Sequence, residues 1–371
     1  MDLQELPAAF SRELATSKRG AASPCPIGIY CAAMRVLAPV AAFAILVIPL
    51  AGQQREPIID VHMHALAADA QGPPPLGMCT PFPEFPAWDL ATPYGDLLIG
   101  QLKKPACADP IWSPTTDDEL MHQTLALAER RNIIGVLSGP AARVAVWAKA
   151  NPRRFIRGLS FQLGDKDTPS PTALRTMHAR GELQVLGEVT NQYAGILPDD
   201  PRMDPYWALA VELDMPVGIH IGTGPPGAIY LGAAGYRAQM HSALTIEEVL
   251  VKHPKLRVYI MHAGYPMIDD LLAVLYAHPQ VYVDIGVIVY TQPRPAFYRY
   301  LQAIVDAGFT NRVMFGSDQM VWPGTIERAI AVIDEAPFLT KQQKRDIFYN
   351  NAARFLRLGK EDIARHHASL P

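Results

Sequence analysis

From residue 58 onward, short apolar, β-branched runs alternate with longer amphipathic stretches. The runs Ile58 to His64, Ile133 to Leu137, Phe155 to Phe161, Val185 to Glu188, Val217 to His220, Leu256 to His262, Val281 to Ile285 and Val313 to Asp318 read as eight strands. Helix-like stretches separate them: Thr116 to Arg131, Ala141 to Ala150, Thr172 to Arg180, Pro205 to Leu213, Thr245 to Lys252, Met267 to Tyr276 and Phe297 to Ala307. Strands alternating with helices at this spacing imply parallel βαβ units, and eight of them imply an α/β fold of the (β/α)8 TIM-barrel type. An open doubly wound sheet is the competing arrangement, but no Gly-rich phosphate loop follows the first strand. Residues 65–115 break the rhythm, with ten prolines between Pro73 and Pro114 and with Trp88, Tyr94 and Trp112 among them. A structureless loop of that length is uncommon in a compact domain and is usually functional. It is therefore expected as a lid-like insertion over the end of the first strand, the plainer alternative being a surface excursion.

The polar residues fall where a barrel would gather them. His62 and His64 end the first run two residues apart, so in a strand both imidazoles leave one face and can chelate one divalent cation. A lone His-x-His is otherwise only the wet side of an alternating strand. Glu188, His220, His262 and Asp318 close four further runs. Each alone has an ordinary explanation, a Ser-Asp after a strand being a common helix N-cap. In a closed barrel, however, the C-terminal strand ends converge on one mouth, and all six side chains arriving there predicts a metal site.

Those residues also carry a resemblance. His-x-His after the first strand, Gly-Glu at the fourth, His at the fifth, His-Ala-Gly at the sixth and Gly-Ser-Asp at the eighth resemble the amidohydrolase superfamily. The similarity is to the branch that holds metal-dependent hydrolases and aminocarboxymuconate semialdehyde decarboxylase-like enzymes. Ile246 to Leu256 running into Ile260-Met-His-Ala-Gly264, and Asn350-Asn-Ala-Ala-Arg-Phe355, extend the likeness over roughly residues 57–356. The resemblance implies that His62, His64 and Asp318 belong to the most buried metal position. It implies for His220 a fourth ligand or a ligand of a second ion, and for His262 a second-ion ligand or a catalytic acid/base. Many two-metal relatives carry a carboxylated lysine at the fourth strand. Glu188 stands there in this chain, to bridge two ions or to orient a ligand, so one or two ions are both compatible.

Imidazole with carboxylate suits zinc, with manganese or iron as alternatives. Such an ion can bring the pKa of a bound water to ~7, with Asp318 placed to accept its proton and His262 to polarise or protonate the substrate. The first expectation is hydrolysis of an amide, ester or lactone of a small molecule. The alternative is a non-oxidative decarboxylase of an unsaturated or aromatic carboxylic acid, and a third reading is a metal- or solute-binding protein without turnover. Arg237 is a candidate clamp for a substrate carboxylate, although an ordinary surface arginine is an equal reading. Tyr265 is a second substrate-binding candidate; it and Tyr290 sit just after strand ends and, with Trp88 and Trp112, hint at a flat or apolar substrate. His122, His178, His253, His278, His366 and His367 fall on helices, loops or the tail and read as structural.

The formal charge of -3 offers no electrostatic case for nucleic acid. Oligomeric state is left open, a homo-oligomer included. Residues 1–51 read as an N-terminal extension and a signal peptide. Met34-Arg35 leads into a run of about 15 apolar residues to Leu50 and then into small residues. The run is shorter than the ~20 residues of a spanning helix, so export to the periplasm or outside is expected, with an uncleaved anchor at residues 36–50 as the alternative. The catalytic barrel would then occupy residues 52–371. Cys25 and Cys31 precede the cleavage region, and Cys79 and Cys107 remain, an even pair that invites a disulfide in an oxidising compartment. Two unpaired buried thiols are the other reading.

Overall fold

Strand β1 (Ile58–His64) is buried at all seven positions, as a parallel strand covered on both faces must be. After it come β2 (Ile133–Ser138), β3 (Phe155–Phe161), β4 (Val185–Val189), β5 (Val217–His220), β6 (Val258–Met261), β7 (Tyr282–Asp284) and β8 (Val313–Met314). Each pairs in parallel with the next. The two ends of the row also meet. Val61 N–H donates to the Phe315 carbonyl at 3.0 Å and Asp318 N–H to the His62 carbonyl at 2.7 Å, which brings β8 round to β1. The computed structural model describes residues 55–368, and the segment read as an extension and signal peptide, with Cys25 and Cys31, lies outside them.

The helices cover the barrel through apolar faces of helical period. In the helix Arg294–Asp306, Phe297, Tyr300, Leu301 and Ile304 are buried, and in Thr325–Asp334 the same holds for Ile326, Ala329, Ile330 and Ile333. The helix Asp117–Arg130 starts where the Thr116 side chain accepts from Glu119 N–H, with Asp117, Asp118 and Glu119 in its first turn, as N-capping and the helix dipole favour. A second apolar cluster is built by Ile59, Val61, Ile134, Val136, Val185, Tyr259 and Met314 from the strands, together with Tyr349, Ala352 and Phe355. The Asn-Asn-Ala-Ala-Arg-Phe stretch thus packs against strand residues. Tyr259 reaches from β6 to β1, its hydroxyl donating to the Val61 carbonyl at 2.9 Å.

Two expectations are corrected. Residues 65–115 are not structureless: Gly77–Met78 pairs antiparallel with Ile111–Trp112, Tyr94–Lys103 is a helix, and Cys79 and Cys107 are disulfide-bonded. The helix pattern was overshadowed in the sequence by the prolines around it. The last strand is also shorter than Val313 to Asp318, because Phe315 N–H turns to the Ile347 carbonyl at 2.9 Å. Asp318 therefore sits past the strand, with φ +51.

Candidate active site

Six side chains read from the sequence as metal-capable come together at the C-terminal ends of the strands: His62, His64, Glu188, His220, His262 and Asp318, all buried. Asp318 Oδ1 lies 3.0 Å from His64 Nε2 and 3.7 Å from His62 Nε2. Glu188 Oε1 lies 3.9 Å from both His62 Nε2 and His220 Nε2, and its Oε2 3.8 Å from His64 Nε2. The His262 ring is 4.6 Å from that of His220 and 5.2 Å from that of His62, centroid to centroid.

The backbone that delivers these groups is held by a further set of side chains. Asp284, at the end of β7, places Oδ2 3.0 Å from His62 Nδ1, while its Oδ1 accepts from His262 N–H at 3.0 Å and Gly286 N–H at 2.8 Å. A Cβ on Gly286 would lie 2.8 Å from His62 Nδ1, so only glycine lets the imidazole reach Asp284. Asp60 Oδ1 ties β1 to the turn after β8 by accepting from His62 N–H at 3.1 Å and Ser317 N–H at 2.9 Å. Gln319 clamps the His64 peptide from both sides, Oε1 on the N–H at 3.1 Å and Nε2 on the carbonyl at 2.7 Å. Tyr290 is buried with its hydroxyl on the Asp318 carbonyl at 2.7 Å, so it supports the left-handed turn there. His262 is left-handed too, at φ +58. Such backbone is costly for non-glycine residues and collects at functional sites.

The hydrogen bonds assign the ring nitrogens. His262 Nδ1 faces the Gly286 carbonyl at 2.9 Å, which can only accept, so Nδ1 carries the hydrogen and Nε2 keeps its lone pair. His220 Nδ1 faces Gln192 Oε1 at 2.8 Å, with the same result. The Nδ1 of His62 faces the Asp284 carboxylate, and its buried Nε2 has no hydrogen-bond partner.

The electrostatics ask for positive charge. Burial alone would push the His62 pKa down, but the carboxylates of Asp318, Asp284 and Glu188 outweigh it and raise it to about 10. For Asp318 burial likewise opposes the shift, yet His62, His64 and His262 hold its pKa well below the usual carboxylate range. Burial, followed by His262, lowers that of His220. Asp60 is pushed up to about 7, chiefly by burial, against its hydrogen bonds from Ser317 and His62.

A family model for amidohydrolases matches residues 59–358. The chain belongs to the amidohydrolase family. No curated protein sequence matches this amidohydrolase. Among solved structures it is similar to an uncharacterized TIM-barrel protein from Bordetella bronchiseptica, at TM-score 0.54 and 19% identity over 83% of this chain and 99% of the other. It is also similar to a probable 2-pyrone-4,6-dicarboxylic acid hydrolase from Acinetobacter baumannii with citric acid bound, at TM-score 0.52 and 14% identity over 81% and 99%. A third is 2,6-dihydroxybenzoate decarboxylase complexed with 2,6-dihydroxybenzoate, at TM-score 0.51 and 14% identity over 82% and 99%. At such identities the likeness carries the barrel fold. The family is metal-dependent and acts on small molecules, and the donors of this amidohydrolase fit a divalent ion. A buried, orphaned His62 Nε2 faces two carboxylates at 3.7–3.9 Å, near the spacing of two ligands each ~2.0–2.2 Å from one ion.

The two residues read as substrate-binding make their contacts outside the six-residue cluster. Arg237 is exposed and gives Nη1 to the carbonyls of Ala234 at 2.9 Å and Tyr236 at 2.7 Å. Tyr265 packs its ring against Tyr300 at 4.9 Å. Neither side chain is hydrogen-bonded to the six-residue cluster among the described residues. Of the histidines read as structural, His253 bonds Asp204, His278 bonds Glu247 and His366 bonds Tyr349. His241, which the sequence reading did not single out, is buried with Nε2 2.6 Å from the Tyr236 hydroxyl.

Proposed function

We propose that this amidohydrolase hydrolyses an amide, ester or lactone bond of a small molecule. The observation that carries the reading is Asp318, whose carboxylate stands beside both rings of the His-x-His pair. His62, His64, Glu188, His220 and Asp318 would hold one or two divalent ions, with zinc the first choice from the imidazole and carboxylate donors. When bound, a divalent ion supplies Lewis acidity and an activated water. Asp318, kept ionised by its histidine neighbours, accepts the proton that the water gives up, and His262, whose Nε2 lone pair is turned to the cluster by the Gly286 carbonyl on Nδ1, takes that proton over and passes it to the leaving group. Arg237, the clamp candidate for decarboxylation, is exposed and gives Nη1 to main-chain carbonyls, which favours the hydrolytic reading. The test is to load purified protein with zinc, manganese or iron and offer amides, esters, lactones and aromatic carboxylic acids. Hydrolysis that a chelator abolishes and metal restores is expected, and carbon dioxide release without hydrolysis would overturn the reading in favour of a carboxy-lyase.

We also propose that residues 65–115 roof this site. Contacts on two sides of the mouth support it. Phe82 N–H bonds the Thr291 carbonyl at 3.1 Å and Trp322 Nε1 the Leu76 carbonyl at 2.9 Å. On the other side, the Tyr94 hydroxyl bonds the Pro226 carbonyl at 2.8 Å and the Trp88 ring lies tilted against that of Tyr230, 4.8 Å between centroids. The Cys79–Cys107 bond closes 28 residues, which on the chain-entropy account restricts the unfolded segment by about 3 to 4 kcal/mol. Such a bond persists in an oxidising compartment, which supports export. Cys79→Ser is expected to lower kcat/KM by more than its modest effect on melting temperature implies. Thiol titration of denatured, unreduced native protein should find neither cysteine reactive, and two reactive thiols at these positions would remove both the bond and the support for export.

A further inference from the structure

Tyr193, on the short 3-10 turn Asn191–Ala194 after β4, meets the cluster at His220, ring centroids 4.7 Å apart. Its hydroxyl lies 2.9 Å from His220 Nε2. The direction of that bond follows from the other side of the ring. Gln192 Oε1, 2.8 Å from His220 Nδ1, also accepts from Gly222 N–H at 3.2 Å, while Gln192 Nε2 donates to the Gly222 carbonyl at 3.0 Å. The amide is thereby fixed with its oxygen toward His220, Nδ1 carries the hydrogen, and the phenol donates to the Nε2 lone pair. That lone pair is the one an ion would take.

The Tyr193 ring is held in place. Tyr236 stacks on it at 5.7 Å with 18° between planes, and on another side a Cβ on Gly224 would come within 2.7–2.8 Å of the ring edge and hydroxyl. Rotation of the O–H about its own bond remains free to such a clamped ring.

We propose that the Tyr193 phenol is a catalytic hydrogen-bond donor: it caps His220 Nε2 in the ion-free protein, and turns to the reacting oxygen of the substrate once that nitrogen is engaged. This rests on the reading of His220 as a ligand in the proposed hydrolase. Charge growing on a substrate oxygen is stabilised by a donor already aimed and desolvated, and removing one such donor commonly costs about 10²–10³ in kcat.

The test compares Tyr193→Phe, which keeps the stacked ring, with the unaltered protein. Zinc affinity is measured on metal-free protein by competition with a chromophoric chelator, and kinetics with whichever reaction the loaded enzyme performs. The Phe variant should bind zinc roughly fivefold more tightly, since one hydrogen bond no longer has to break. It should also lose about 10²-fold in kcat with KM changed little. Gly224→Ala, which keeps the hydroxyl but displaces the ring, should lose kcat as well. Unchanged or weaker zinc binding by Tyr193→Phe, or an unchanged kcat, would overturn the proposal. Carbon dioxide release in place of hydrolysis would end the hydrolase reading and leave the affinity comparison to judge Tyr193 by itself.

Discussion

Asp318→Asn is expected to lower kcat/KM by about 10³-fold or more, the upper part of the range for losing a general base, because an amide accepts no proton and ligates weakly. The substitution keeps the size of the side chain and leaves the main chain alone. Asp318 N–H still bonds the His62 carbonyl, and its own carbonyl still receives the Tyr290 hydroxyl. The turn should therefore persist. His62→Ala, which removes the orphaned Nε2, should show the same loss of activity with loss of stoichiometric metal. Metal content by elemental analysis and steady-state kinetics together check both. An Asn variant within threefold of the parent in kcat/KM would show that another group handles the proton.

The second large effect is expected one residue further from the chemistry. In Asp284→Asn the side-chain oxygen can still accept from His262 N–H and Gly286 N–H, the bonds now made to Oδ1. The group facing His62 Nδ1 then becomes an NH2 donor. Nδ1 must accept, the ring hydrogen moves to Nε2, and the nitrogen that faces Glu188 and Asp318 loses the lone pair that a ligand needs. Partners that orient a ligating histidine in this way are commonly worth 10–100-fold in metal affinity, and a loss of about that size in zinc affinity is expected. Chelator competition on the purified variant measures it, and an affinity equal to the parent's would refute the orienting role.

The sequence announced the candidate ligands more openly than their supports. His62, His64, Glu188, His220, His262 and Asp318 were legible because they are chemically conspicuous residues closing apolar runs. Asp284 closes Val281-Tyr-Val-Asp in the same manner, and that signal was present but unused. Gln192 and Tyr193 gave none, lying on a 3-10 turn with no periodicity, where an amide and a phenol pass for ordinary loop polarity. Gln319 reaches a peptide 255 residues away, a pairing that no local pattern encodes.

Local periodicity, then, determined the alternation of strands and helices, the parallel barrel and the residues that crowd its mouth, since burial of a strand or of a helix face leaves its mark within a few residues. The helix Tyr94–Lys103 and the hairpin of Gly77–Met78 with Ile111–Trp112 were masked by proline density. What only the tertiary structure decided is which nitrogen each histidine offers, where Asp318 points, and that Arg237 faces solvent and not the cluster. Those outcomes depend on hydrogen bonds between chain segments far apart in sequence. They also depend on left-handed backbone at His262 and Asp318, which holds its unfavourable φ because Asp284, Tyr290 and the closing β8–β1 contacts fix the peptides on either side.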